Sequence, residues 1–108
     1  MKNGDIVLLP FPFAELTNRK VRPAVVVCET KDKYKDIVVC AVSSVVPTVP
    51  GQNEILLHPD KVNNLRADSV IKVDRIVTVK RHDVITQIGK LDAANKAAFN
   101  NKFKQLTD

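Results

Sequence analysis

The sequence predicts a mainly β protein, a small antiparallel barrel or sandwich with one helix at its C-terminal end. Three observations carry this. Short β-branched runs recur along the chain between polar or proline-containing connections, the pattern of short strands at regular spacing. Only the last stretch changes to helical spacing. At 108 residues the chain suits one domain, 1–108, whose single core covers roughly two-thirds of the unfolded surface.

The elements follow in order. Gly4-Asp5 leads into the run Ile6 to Leu9, and the polar connection Phe11 to Val21 ends at Arg22-Pro23 before the run Ala24 to Cys28. Proline biases Arg22 toward extended backbone and so sets the direction in which its guanidinium leaves the strand mouth. Further strands are predicted over Ile37 to Val42, Glu54 to Leu57, Ser69 to Val73, Ile76 to Val79 and Val84 to Ile88. His58 to Leu65 has room for one helical turn. From Asp92, an N-cap residue type, the spacing predicts a helix with Ala94, Ala98, Phe99, Phe103 and Leu106 near one face, lying on the barrel. Cys28 and Cys40 stand in apolar runs without paired CxxC spacing, so both are expected in the core.

Composition narrows the function. A net charge of +5 and a pI near 9.4, with 5% aromatics and no Trp, favour an anionic partner gripped through phosphate over one stacked on aromatic faces. Three glycines, Gly4, Gly51 and Gly89, cannot build a phosphate-cradling loop or a dinucleotide fingerprint. Asp32, Asp36, Asp60, Asp68, Asp74 and Asp83 are scattered among lysines and arginines, as turn and surface residues are, so no metal and no other cofactor is expected. No apolar stretch has the length of a signal peptide or membrane span, which predicts a cytoplasmic protein with no membrane partner.

Phosphoryl chemistry without metal remains, and RNA supplies its own nucleophile in the 2′-OH. That reaction needs a base, a cation against the crowded phosphorane and an acid for the leaving oxygen. Arg22 offers a permanent charge in a planar fork, and Ser43, closing the third run, offers a hydroxyl donor. The plainer reading is an exposed Arg at one strand start and a Ser at another strand's end. Nothing in the sequence brings His58 and His82 together as an acid–base pair.

The ordered set Gly4-Asp5, Arg22-Pro23 before valines, Ala41-Val42-Ser43-Ser44 and Ala67 to Asp74 resembles the MazF/PemK family of toxin endoribonucleases. The resemblance implies a small SH3-like antiparallel β-barrel of MazF/Kid/CcdB type with a C-terminal α-helix. It implies a metal-independent, sequence-specific endoribonuclease that cleaves single-stranded RNA, messenger RNA first among its targets, leaving a cyclic phosphate and a 5′-hydroxyl. The equivalents of Arg22 and Ser43 are the family's catalytic pair, the hydroxyl often being that of Thr; Ser44 is the immediate competitor. The loop Phe11 to Val21 shapes the family's groove, so Glu15 is a candidate base, and Thr17, Asn18, Arg19 and Lys20 are candidate RNA contacts. Lys80, Arg81 and His82 are a candidate rim for the same strand. Partners implied are a second copy in a homodimer, a cognate antitoxin, and operator DNA only through the antitoxin complex. Two other readings stay open: a gyrase-poisoning toxin of the same fold, and a non-catalytic basic β-barrel adaptor.

Overall fold

A computed structural model describes residues 1–10 and 20–108. Six antiparallel strands, β1 (Asp5–Pro10), β2 (Val21–Glu29), β3 (Ile37–Ser43), β4 (Glu54–Leu57), β5 (Ser69–Val79) and β6 (Thr86–Lys90), form one curled sheet in the order β4-β5-β3-β2-β1-β6. Helix α1 (Ala93–Gln105) lies against β4 and β5. Entry into β1 passes through Gly4, whose φ of 89° is a left-handed conformation that side-chain-bearing residues avoid.

Alternation along the strands sends side chains to two apolar clusters. One gathers Ile6, Val25, Cys40, Ile71, Val73, Leu91 and Phe99 under the helix; the other gathers Val7, Leu9, Ala24, Val26, Ile37 and Val39 on the opposite face. β5 serves both. It runs unbroken where two strands are predicted, because Cys40 pairs with Ile76 while its neighbour Ala41 pairs with Lys72. Val73, Asp74 and Arg75 are therefore extra against β3, and an odd insertion exchanges the faces. Ile71 and Val73 join the helix-side cluster, whereas Val77 and Val79 pack on the other.

The last strand begins at Thr86 instead of Val84. A 3₁₀ turn over Arg81–Asp83 precedes it, and the Ile85 amide donates to the Leu8 carbonyl at 2.8 Å. The helix forms where the spacing predicts it, with the Asp92 carboxylate accepting from the Asn95 amide at 2.8 Å as N-cap. Ala98, Phe99, Phe103 and Leu106 pack inward, but Ala94 is exposed, one turn before the helix meets the core. Cys28 is likewise exposed: the β2–β3 register shifts between Val26 and Cys28 and turns it outward. Cys40 is buried, and desolvation, with the Asp74 charge adding, pushes its thiol up to about 12.

Between His58 and Leu65 a single α-turn forms, the Asn64 amide donating to the Asp60 carbonyl at 3.0 Å, and the segment crosses from β4 to β6 and links the two edge strands. Lys90 donates its amide to the Val62 carbonyl at 3.0 Å, and Asn64 Nδ2 donates to the Ile88 carbonyl at 2.7 Å. Asn63, only 2% exposed, braces the crossing from inside. Its Oδ1 accepts from the amides of Asp60 and Leu65, and its Nδ2 donates to the His58 carbonyl. Gly89 is required beneath it, since a Cβ there would lie well inside contact distance of the Val62 and Asn63 carbonyl oxygens.

Candidate functional site

Pairing of Ala24 with Ala41 fixes the relation of the two motif residues. Continued two residues to the ends of both strands, that register sets Arg22 opposite Ser43, on one face. Leu9, directly across from Arg22 on β1, shares it. Both motif residues are half-buried, so each is held by the sheet while still reaching its rim. Ser43 Oγ accepts from the Val45 amide at 3.1 Å, a turn that fixes the oxygen and leaves the hydroxyl hydrogen to donate.

Around this strand mouth lies a recess of about 270 Å³ bordered by Lys20, Arg22, Val42 and Ser44. It adjoins a larger groove of about 810 Å³, the two sharing Val21, Pro23, Ser44 and Ser69. Ser44 thus borders the space beside Arg22, although alternation turns its side chain from the face of Ser43. Ser43 itself lines neither the recess nor the groove, and it is the register that sets it opposite Arg22.

The other sequence-predicted residues divide. Lys20 is exposed beside Arg22. Glu15, Thr17, Asn18 and Arg19 lie outside the described residues. Arg81 is not brought to the groove: its guanidinium pairs with Glu29 at 2.6 Å, about 23 Å along β2 from Arg22 at the rise of an extended strand. Glu29 also receives the N-terminal ammonium at 3.2 Å, and these partners, the ammonium first, hold its carboxyl below its ordinary value. Lys80 and His82 flank Arg81, both exposed, with His82 3.7 Å from Asp83. The histidines stay apart, because His58 at the end of β4 pairs with Asp68 at 3.0 Å. Among the described residues no three His, Cys, Asp or Glu side chains gather as metal ligands would.

One cationic residue escaped the sequence reading. Arg66 lines the larger groove, carried there by the crossing segment, together with Asn64 and Gln87. Gly89 beneath that crossing was its one legible trace.

Residues 2–107 match the family of PemK-like, MazF-like toxins of type II toxin-antitoxin systems. The chain belongs to that family. The fold agrees with solved structures of PemK/MazF proteins. Mycobacterium tuberculosis toxin MazF-mt6 superposes with a TM-score of 0.69 at 20% identity, covering 96% of each chain. An endoribonuclease in complex with its cognate antitoxin from a mycobacterial species gives 0.75 at 12%, covering 99% of this chain and 94% of that one. MazE-MazF from Deinococcus radiodurans gives 0.69 at 20%, with coverage of 99% and 94%. No curated protein sequence matches the chain. No helix among the described residues is long and apolar enough to cross a membrane.

Proposed function

We propose that this PemK/MazF-family chain is a single-domain, cytoplasmic, metal-independent endoribonuclease that cuts single-stranded RNA at a short sequence, with Arg22 and Ser43 at the reacting phosphate. The observation that supports it is the β2–β3 register, which sets a permanent cation opposite a turn-fixed hydroxyl at the strand ends, with a recess bordered by Arg22 alongside. In the reaction the 2′-oxygen bonds to the adjacent phosphorus and the P–O5′ bond breaks. The 2′ proton passes to a base, the leaving O5′ gains one from an acid, and a cyclic phosphate and a 5′-hydroxyl result. Arg22 offers its fork to two phosphate oxygens as charge builds, and Ser43 donates to the same group. Glu15 is the candidate base.

A homodimer fits the size of the chain, since two copies extend a groove that one small barrel barely provides. A cognate antitoxin fits the family and the complexes of its structural neighbours. An acidic, disordered antitoxin segment would order across the basic groove and cover Arg22. Incubating the purified protein with a long single-stranded RNA in excess EDTA tests the reading. New 5′ ends that a kinase labels directly are expected; a magnesium requirement or 5′-phosphate ends would overturn it.

A further inference from the structure

We infer that the groove beside Arg22 is a guanine-reading subsite, in which Arg66, Asn64 and Gln87 select the base that flanks the cut; this rests on the endoribonuclease reading. Placement is the first support. The groove shares Val21, Pro23, Ser44 and Ser69 with the Arg22 recess, so a nucleotide whose phosphate meets Arg22 has its neighbour's base delivered there. At about 810 Å³ it falls among ligand-sized cavities, which run from roughly 300 to 1,000 Å³. Leu8, Leu65 and Ile88 give it an apolar lining for the face of a base.

Hydrogen-bonding polarity is the second support. Asn64 spends its Nδ2 on the Ile88 carbonyl at 2.7 Å, and Gln87 spends its Nε2 on the Gly89 carbonyl at 3.3 Å. Each amide thus has one N–H committed to a carbonyl and keeps its acceptor oxygen and a second N–H, while Arg66 offers only donors. With a guanidinium and two amide oxygens converging, guanine complements this set most fully among the RNA bases. Its O6 and N7 are adjacent acceptors for a guanidinium fork, and its N1–H and N2 amino group are adjacent donors for two carbonyl oxygens. Uracil and cytosine lack the second donor group, and adenine alternates donor with acceptor.

Rigidity is the third support. The wall carrying Asn64 and Arg66 is braced by buried Asn63 and latched to β6 at two points, so the reading groups are held in place before RNA arrives.

The test has two arms. Cleavage of a randomised RNA pool by the wild type, Arg66→Ala, Arg66→Lys and Gln87→Leu proteins is profiled by sequencing. A guanine preference at one position beside the cut is expected in the wild type. It should fall about tenfold or more in Arg66→Ala and Gln87→Leu, and Arg66→Lys should restore it only in part. Preference for another base, or a uniform loss of rate with guanine preference intact, would overturn the inference. The second arm needs no cleavage: GMP, AMP and inorganic phosphate are titrated against the Asn64 and Gln87 side-chain amide signals in NMR spectra. GMP should move both signals at lower concentration than AMP, and phosphate should move neither. Equal effects of GMP and phosphate, or no effect of GMP, would overturn the subsite. A wild type that cuts no RNA yet passes the second arm would remove the endoribonuclease reading alone.

Discussion

The two ends of β2 carry basic residues in opposite circumstances. At the Val21 end, Lys20 and Arg22 border a recess that adjoins the larger groove lined by Arg66, which comes from a distant part of the chain. At the Glu29 end, Arg81 and the N-terminal ammonium converge on one carboxylate. Net positive charge is common to both ends, but at the Glu29 end the cations meet a carboxylate, whereas at the Val21 end they border an open recess. Local sequence, Arg-Pro in one case and Lys-Arg-His in the other, does not separate them; the partner across the sheet does.

Breaking that comparison is simplest at the arginines, where the largest effect is expected. Arg22→Ala should lower the RNA cleavage rate by about a hundredfold or more, the usual scale for one preorganised transition-state donor. Arg22→Lys should recover only part of it, having no fork. Arg81→Ala should leave the rate within about twofold, because it gives up a surface ion pair. Equal losses at the two arginines would erase the distinction between the ends.

Ser43 and Ser44 sharpen the account of the groove end. Ser43→Ala should lower the rate by about tenfold or more, and Ser44→Ala by clearly less, since only Ser43 shares the face of Arg22. Single-turnover rates for both variants decide it, and the reverse order would assign the hydroxyl to Ser44.

The groove wall responds through stability. Asn63→Ala orphans buried amides and the His58 carbonyl, and should cost about 1–3 kcal/mol in urea unfolding. Gly89→Ala, which forces the crossing outward, should cost a similar amount, about 1–3 kcal/mol. Wild-type stability in both would mean that the crossing is not the brace described.

The Glu29 end should show the smallest effect, and only in acid. Its partners hold Glu29 below the ordinary value of 4.5, and the Gly51 amide, followed by Lys72, does the same for Glu54. Carboxyls depressed in the folded state add stability that is fully present above their unfolded value and is lost as pH falls through it toward the folded one. Thermal melts from pH 6 to pH 3 should therefore show a decline that sets in below about 4.5. Glu29→Gln should flatten part of it, and an unchanged acid slope in that variant would show that the ion pairs there are inert.

Much of the fold was legible because alternation and caps are local signals. The runs around Ile6, Val25, Val39 and Ile55 became strands, and Asp92 became the N-cap. What escaped depends on partners far along the chain. Asp74-Arg75 interrupts an apolar pattern and reads as a turn, yet β3 simply runs short against it and the strand continues. Cys28 reads as core until a register shift turns it out. The Arg22–Ser43 juxtaposition needs the β2–β3 register; the resemblance named the pair without it. Arg66 had no local signal, since its position depends on a crossing braced by its own buried Asn63 and seated on Gly89 of β6.

The central claim is that the 2′-OH attacks a phosphate held by Arg22 and Ser43, and an oligoribonucleotide with one ribose changed tests it most directly. Once the cut site is mapped, the ribose 5′ to the scissile phosphate is replaced by deoxyribose, leaving the bases and phosphates as they were. Cleavage at that bond should vanish while the substituted strand still binds and competes with the parent RNA, its grip weakening as salt rises. Continued cleavage of the deoxy-substituted strand at the same bond would contradict the mechanism.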